Sequence, residues 1–200
     1  MTIVYQLGSK LYLNITNACP CNCVFCIRNS IDGVGDAASL WLEREPSLEE
    51  IKAALDARSF DGIDEIVFCG YGEPMERADD VIAISQYVIS SSLYEKPALR
   101  INTNGLVFLM HPEFDVSRLA IVDCISISLN ADDPAEYQRL ARPRFGAAAF
   151  GSLMDFARQA KAYTTVVFSV VGGTLSTDRL ENCRRIASEM GVELRVRGRE

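Results

Sequence analysis

The sequence predicts an α/β protein in which six mostly parallel strands and the helices between them form a partial (β/α)6 barrel. Short runs of β-branched and apolar residues alternate along the chain with segments of helical periodicity, as in proteins built from βα units. Within most of these runs, apolar residues alternate with polar ones, so only one face of the sheet is expected to pack against helices. A curled sheet with helices outside and a polar interior explains both observations. An antiparallel sheet with one solvated face would alternate in the same way, but the regular insertion of helices disfavours it.

The six predicted strands are separated by segments long enough for crossover helices. They are residues 11–16, 65–69, 98–103, 124–129, 165–171 and 192–197. In the first strand Leu11 and Leu13 face away from Tyr12, and in the last strand Arg195 and Arg197 lie on the polar face. We expect these inward arginines to face an anionic group on a substrate, such as a carboxylate or a phosphate.

Three of the predicted helices carry start or stop signals. Ser47 and Glu50 have the spacing of a capping box, and Asp133 is followed by a proline in the first turn of the next helix. In the last helix Cys183 falls on the apolar face, so it is expected to be a core thiol, and Gly191 ends that helix.

Composition limits the classes of function. A chain of 200 residues with 48% apolar residues can bury the core of one domain, and residues 1–200 contain no repeat or linker that divides them. No segment approaches the roughly 18 apolar residues of a membrane span, and the first twenty residues lack a signal-peptide layout, so we expect a cytoplasmic protein. The net charge of −7 argues against a broad nucleic-acid surface. His111 is the only histidine, which excludes His-rich zinc sites.

Three of the seven cysteines, Cys19, Cys23 and Cys26, are spaced C-x3-C-x2-C directly after the first predicted strand. Thiolates are the usual ligands of iron–sulfur clusters, and three of them can bind three irons of a cubane cluster. One iron is then left without a side-chain ligand. An open coordination position is typical of a reactive metal site, whereas a structural site is closed by protein ligands.

Cys21 lies inside this run at a spacing that does not fit the triplet. It is a candidate for an alternative ligand, a redox-active thiol or a group that reacts with substrate, although the spacing favours a bystander. A function of a different class is also open. Cys19, Cys21, Cys23 and Cys26 together supply the four thiolates that zinc needs in a non-catalytic binding module, although ligands one residue apart strain that geometry.

The triplet, with Phe25 just before its last cysteine, resembles the signature of radical S-adenosylmethionine (radical SAM) enzymes. The resemblance implies a [4Fe-4S] cluster whose open iron is chelated by the amino and carboxylate groups of S-adenosylmethionine (SAM). Electron transfer from the reduced cluster then releases a 5′-deoxyadenosyl radical, which removes a hydrogen atom from a substrate. It also implies an external one-electron reductant of the flavodoxin or ferredoxin type, and Phe25 is expected to pack by the cluster or the adenine.

After the second predicted strand, Gly70, Tyr71, Gly72, Glu73 and Pro74 resemble the Gly-Gly-Glu-Pro segment of the same family. In that family the backbone and the glutamate of this segment hold the amino group of SAM. Glycines let the backbone approach a ligand closely, and Glu73 offers a carboxylate to an ammonium group. Tyr71 departs from the family pattern, because it stands where the first glycine is usual. A plain turn before a helix is the alternative interpretation.

Three further motifs follow later strands, at the edge where ligands of parallel α/β folds collect. Asn104 lies in a run that resembles the family's Thr-Asn-Gly segment, and a tight Asn-Gly turn explains it equally well. Ser128 and Asn130 match the place where related enzymes bind the ribose hydroxyls, with an Asx turn as the alternative for Asn130. Val171 fits the position that contacts adenine through its backbone and an apolar side chain.

The opening at residues 13–19 and the ending at residues 195–197 resemble the uncharacterised radical SAM group named for association with TatD-type nucleases. A 7-carboxy-7-deazaguanine synthase-like enzyme and an activase that installs a glycyl radical on a partner protein are the alternatives. The substrate is either a small molecule or a macromolecule. A six-stranded barrel has an open end that admits a large substrate, unless residues 27–46 cover its mouth.

Overall fold

A seven-stranded sheet, with its strands in chain order, forms the centre of the fold in a computed structural model that describes residues 1–30, 32–91 and 96–198. The strands are β1 (Val4–Leu7), β2 (Lys10–Leu13), β3 (Glu65–Phe68), β4 (Ala98–Thr103), β5 (Cys124–Ser128), β6 (Thr165–Val171) and β7 (Glu193–Arg197). Strands β2 to β7 all run parallel to one another. The prediction of six parallel strands in a mixed α/β fold is therefore confirmed, and the antiparallel alternative is wrong.

Strand β1 was not predicted. It pairs antiparallel with β2 across the two-residue turn Gly8-Ser9, in which Gly8 has a φ of 60°. A glycine with positive φ at the first central position is typical of a type II′ hairpin turn. Val4 and Tyr5 are residue types that favour strands, but the run is only four residues long and its burial does not alternate.

Six α-helices and three short 3₁₀ helices occur among the described residues. The α-helices are α1 (Leu48–Asp56), α2 (Ala78–Ser90), α3 (Val107–Met110), α4 (Pro134–Ala141), α5 (Ala148–Ala160) and α6 (Thr177–Met190). The 3₁₀ helices are Ile27–Asn29, Pro74–Arg77 and Val116–Ile121. In the part of the chain that is described, every helix falls short of the length and apolarity that a bilayer crossing requires.

The predicted helix ends are confirmed. The side chain of Ser47 accepts a hydrogen bond from the Glu50 amide at 3.2 Å, and the Glu50 carboxylate accepts one from the Ser47 amide at 2.8 Å. Asp133 caps α4, and Gly191 ends α6 in the left-handed conformation at φ 71°. Cys183 is fully buried in the core, as its helical position indicated.

The two faces of the sheet differ in polarity. Leu11, Ile66, Ile101, Ile125 and Phe168 point to the helix side and are fully buried in one hydrophobic cluster. The opposite face bears polar side chains at intervening positions, since neighbouring residues of a strand point to opposite faces. This polar face, together with the loops that leave the carboxyl ends of the strands, forms the wall of a cavity.

Candidate functional site

One cavity of about 510 Å³ lies at the carboxyl ends of the parallel strands. Its lining includes every residue selected from the sequence as a ligand or cofactor contact, namely Cys19, Cys23, Phe25, Cys26, Gly70, Tyr71, Gly72, Glu73, Asn104, Ser128, Asn130 and Val171. Side chains from both edges of the sheet, such as Tyr5 of β1 and Arg197 of β7, line the same space. The sheet therefore curls around the cavity without closing, because β1 and β7 do not pair with each other.

The cysteine loop leaves β2 and is anchored on the carboxyl end of α4. The amide of Asn22 donates to the carbonyl of Ala141 at 3.0 Å, and the amide of Val24 donates to that of Leu140 at 2.9 Å. On the other side, the amide of Arg144 donates to the carbonyl of Pro20 at 2.8 Å. These backbone contacts hold a segment without regular secondary structure against the cavity wall. Helix α4 therefore supports the site, a role that its own sequence did not indicate.

The four thiols of this loop are close enough to perturb one another. Cys21 is buried, and its thiol forms hydrogen bonds with the thiols of Cys19 and Cys23. The hydrogen bond with Cys21 lowers the pKa of Cys19 to about 7 against the opposing effect of burial. The hydrogen bond between Cys21 and Cys23 likewise lowers the pKa of Cys23. Burial raises the pKa of Cys26. Among the described residues, no three Cys, His, Asp or Glu side chains converge in the way that a single metal ion needs.

The segment after β3 packs directly on the chain that enters the cysteine loop. A Cβ atom on Gly70 would lie 2.1 Å from Oδ1 of Asn14, and one on Gly72 would lie 2.2 Å from the carbonyl oxygen of Thr16. The amide of Glu73 donates to the carbonyl of Ala18 at 2.8 Å. The two glycines are thus required by a close approach between two loops. The sequence had suggested that these glycines allow close approach to a ligand. The residue types alone could not distinguish approach to a ligand from approach to another loop.

Glu73 is buried in the centre of the site and bridges two strand ends. Its Oε1 accepts hydrogen bonds from the Thr103 hydroxyl at 2.7 Å and the Met75 amide at 3.1 Å, and its Oε2 accepts one from the Asn104 amide at 2.7 Å. Burial, and then the nearby thiol of Cys19, raise the pKa of Glu73 to about 8. A carboxylate offers roughly four acceptor positions, so Glu73 keeps one for a ligand.

The two polar atoms of the Asn104 side chain have different roles: Oδ1 stabilises the local turn, and Nδ2 is available for a ligand. Its Oδ1 accepts a hydrogen bond from the Leu106 amide at 2.9 Å, as expected for the turn interpretation. Its Nδ2 is buried and has no hydrogen-bond partner among the described residues, and the same holds for Oδ1 of Asn102, which also lines the cavity. Buried polar atoms are normally paired, so these two indicate a polar ligand in the cavity.

Tyr71 stands at the position where the family usually has a glycine, and its larger side chain packs against a segment of the cavity wall. Its side chain is buried and meets the ring of Trp41 edge-on, with the ring centroids 5.1 Å apart. It belongs to a small apolar cluster with Tyr5, Ala37 and Leu40. The tyrosine thus fixes the segment 32–42, which forms part of the cavity wall. Ile31, within the predicted mouth segment 27–46, lies outside the described residues.

Asn130 and Val171 bind each other. Asn130 has a left-handed φ of 53°, and its Oδ1 accepts a hydrogen bond from the Val171 amide at 3.2 Å. The Val171 carbonyl accepts one from the Thr174 hydroxyl at 2.6 Å. The backbone of Val171 is therefore engaged within the protein, and its side chain remains for contact with a ligand. Ser128 and Phe25 also line the cavity.

Comparison with known proteins identifies the class of this α/β fold. A model of the radical SAM superfamily matches residues 13–187. The fold is similar to that of SuiB from Streptococcus suis bound to the precursor peptide SuiA, with a TM-score of 0.71 and 16% identity over 98% of this chain and 40% of SuiB. It is also similar to anSMEcpe with bound AdoMet, with a TM-score of 0.62 and 15% identity over 94% of this chain and 50% of that one. TYW1 with a bound lysine–pyruvate adduct has a similar fold as well, with a TM-score of 0.62 and 15% identity over 97% of this chain and 66% of TYW1. A search of curated proteins found no match.

The chain belongs to the radical SAM superfamily, and its curled sheet is the partial barrel of these structures. Enzymes of this superfamily use a [4Fe-4S] cluster and SAM, which are therefore the cofactors of this enzyme domain. The chain spans about 40% of the length of SuiB and half that of anSMEcpe. The cavity fits these cofactors, because three thiols and two unpaired buried amide atoms face a space of a size usual for small ligands.

Replacing Gly72 by alanine should displace the cysteine loop, because the new Cβ would overlap the backbone oxygens of Thr16 and Ala18. Overpacking of this kind costs about 1–3 kcal/mol, which urea denaturation measures as a loss of unfolding free energy. Iron content after anaerobic reconstitution should fall below half that of the wild type. The control is Gly151→Ala, in an exposed turn of α5 where a Cβ meets nothing within 4 Å. It should keep full iron content, and wild-type behaviour of Gly72→Ala would contradict the packing argument.

Proposed function

We propose that Cys19, Cys23 and Cys26 ligate three irons of the [4Fe-4S] cluster and that SAM binds beside it in the cavity. The observation that carries this proposal is the convergence of separate motifs, from the ends of five strands, on one space with the cysteine loop on its wall. The cofactor pair supplies, when bound, the one-electron cleavage of SAM that yields a hydrogen-abstracting 5′-deoxyadenosyl radical. The reaction is radical abstraction of hydrogen from a substrate that the sequence leaves open.

The protein's own groups bind and orient SAM in this proposal. The free acceptor position of Glu73 accepts a hydrogen bond from the methionine ammonium group, and Nδ2 of Asn104 donates one to an oxygen of SAM. Ser128 and Asn130 hold the ribose hydroxyls, while Phe25 and the side chain of Val171 contact the adenine. Support comes from the buried, unpaired state of Nδ2 of Asn104 and from the position of the other groups around the same cavity.

Cys21 is proposed to stay outside the ligand set. Its backbone is held by a bridge to Pro143, and its thiol contacts the buried side chain of Tyr137. A thiol fixed in this way fills space and contacts its neighbours without moving toward a metal. The non-catalytic zinc module, which requires Cys21 as a fourth ligand, is not favoured by this arrangement or by membership of the superfamily.

The group within the radical SAM superfamily to which the chain belongs is proposed from sequence features alone. The opening at residues 13–19 and the ending at residues 195–197 support the TatD-associated group, with a 7-carboxy-7-deazaguanine synthase-like enzyme or a glycyl-radical activase as alternatives. SuiB has been observed with a precursor peptide, which makes a peptide one of the substrate classes to test. An external flavodoxin- or ferredoxin-type protein is proposed as the electron donor.

Single alanine substitutions of Cys19, Cys23 or Cys26 should abolish the formation of 5′-deoxyadenosine, because each removes one of only three cluster ligands. The assay uses anaerobically reconstituted protein with dithionite and SAM. Wild-type protein should be brown and contain iron and sulfide near about four each per chain. Each of the three variants should lose most of its iron.

The matched control is Cys21→Ala, in the same loop, which should keep more than about half of the wild-type iron and activity. Cys183→Ala, in the core, controls for the general loss of a thiol. Loss of activity in Cys21→Ala with retention in Cys19→Ala would contradict the ligand assignment. A colourless wild-type protein with one zinc would support the binding module.

Asn104→Ser tests the SAM site separately from the cluster. Serine keeps a side-chain acceptor for the Leu106 amide but removes the Nδ2 donor. The dissociation constant of SAM, measured by equilibrium dialysis on reconstituted protein, should rise about tenfold, which corresponds to about one hydrogen bond. Iron content should be unchanged. Unchanged SAM affinity would place the Nδ2 donor outside the SAM site.

A further inference from the structure

The polar face of the sheet is cationic, although the whole chain carries a net charge of −7. Four basic residues, Lys10, Arg100, Arg195 and Arg197, occupy positions on this face, as the register of the strands shows. Only two carboxylates, Glu65 and Glu193, stand among them in ion pairs. An excess of cations on the inner wall of an acidic protein is a local feature that calls for an anionic partner.

Three of these cations are already engaged. Lys10 and Arg100 share Glu65, with Nε of Arg100 at 2.9 Å from Oε1. Arg195 pairs with Glu193 at 3.0 Å and does not line the cavity, so the prediction that it faces the substrate anion is not supported by its position. A charge satisfied by a protein carboxylate adds little to binding.

Arg197 differs from the other three. It lines the cavity at the end of β7, and among the described residues its side chain has no ion pair and no hydrogen bond. Its charge acts on Cys69 at the end of β3. Burial raises the pKa of Cys69, and a hydrogen bond from Asn102, then Arg197 and Arg100, oppose that rise. Arg197 is exposed and lines the cavity, so it is an available cation at the rim.

The positions of these groups separate two parts of the cavity. Asn104 and Glu73, proposed to bind SAM, lie at the rim on the β3–β4 side. Arg100 is four residues earlier in β4, or roughly 13 Å deeper at about 3.3 Å per residue. Asn102 lies between them with its unpaired Oδ1. A ligand below SAM therefore meets Asn102. Arg197 is the register partner of Val171 at the end of β7, so a ligand beside SAM on the β7 side of the rim meets Arg197.

We infer that the substrate carries an oxyanion, a carboxylate or a phosphate ester, and that Arg197 binds this group inside the cavity. The inference rests on the proposed function, because it assigns the β7 side of the cavity to the substrate once SAM occupies the side formed by the ends of β3 to β6. A guanidinium presents paired N–H donors that match the two oxygens of either group. The oxyanion fixes the orientation of the substrate beside the cofactor.

The test uses anaerobically reconstituted protein saturated with SAM, and titrates it by calorimetry with phenyl phosphate, benzoate and neutral benzamide. The three probes share one ring and differ in the group offered to Arg197. Phenyl phosphate or benzoate should bind the wild type, and the tighter of the two identifies the class of oxyanion. Arg197→Gln should weaken that binding at least about tenfold, the usual loss for a charged hydrogen-bonded pair. Benzamide should not bind measurably.

Arg195→Gln is the matched control, since it lies on the same strand and face but is already paired. It should bind the probes within about twofold of the wild type. SAM affinity should be unchanged in both variants. A selective loss of SAM affinity in Arg197→Gln would overturn the inference by assigning the arginine to the SAM carboxylate. Equal probe binding by wild type and Arg197→Gln, or no binding of either anion, would also overturn it. Wild-type protein that assembles no cluster or binds no SAM would instead fail the proposed function itself.

Discussion

The contact between residues 70–73 and residues 14–18 holds the site together. Gly70 and Gly72 allow the segment after β3 to touch the chain that leads from β2 into the cysteine loop, and the Glu73 amide completes the contact with Ala18. The carboxylate of the same Glu73 then binds Thr103 and the Asn104 amide after β4. One short segment thereby fixes three strand ends relative to one another. The cysteines, Glu73 and Asn104 are placed around a single cavity by this contact.

The distribution of charge separates the roles of the inner wall. Paired groups such as Lys10, Glu65 and Arg100 neutralise one another and keep the interior of the barrel structured. Unpaired groups such as Arg197, and the free amide atoms of Asn102 and Asn104, remain for ligands. Pairing, more than residue type, therefore distinguishes structural from ligand-binding polar residues in this protein.

Local sequence signals predicted the parts of the fold that depend on neighbouring residues. The strand alternation and the caps at Ser47 and Asp133 appear as expected. Strand β1 escaped prediction because four residues are too few for a clear period, and its pairing depends on β2. The pairing of Arg195 with Glu193, two residues away on the same face, shows that facing inward does not leave a charge available.

Other features could not be read from sequence because they depend on contacts between distant segments. The edge-on contact between Tyr71 and Trp41 depends on how residues 32–42 pack against the sheet. The hydrogen bond from the Val171 amide to Oδ1 of Asn130 joins residues that are 41 positions apart in the sequence. The support of the cysteine loop by α4 is of the same kind, as Val24 and Leu140 meet only in the folded chain.

Mössbauer spectroscopy of protein reconstituted with ⁵⁷Fe tests the central claim most directly, since it distinguishes the irons of one cluster. Three cysteine ligands predict that adding SAM changes the signal of one iron in four and leaves the other three as they were. Four irons that stay equivalent and unaffected by SAM would mean that protein thiolates complete the cluster, and would contradict the account.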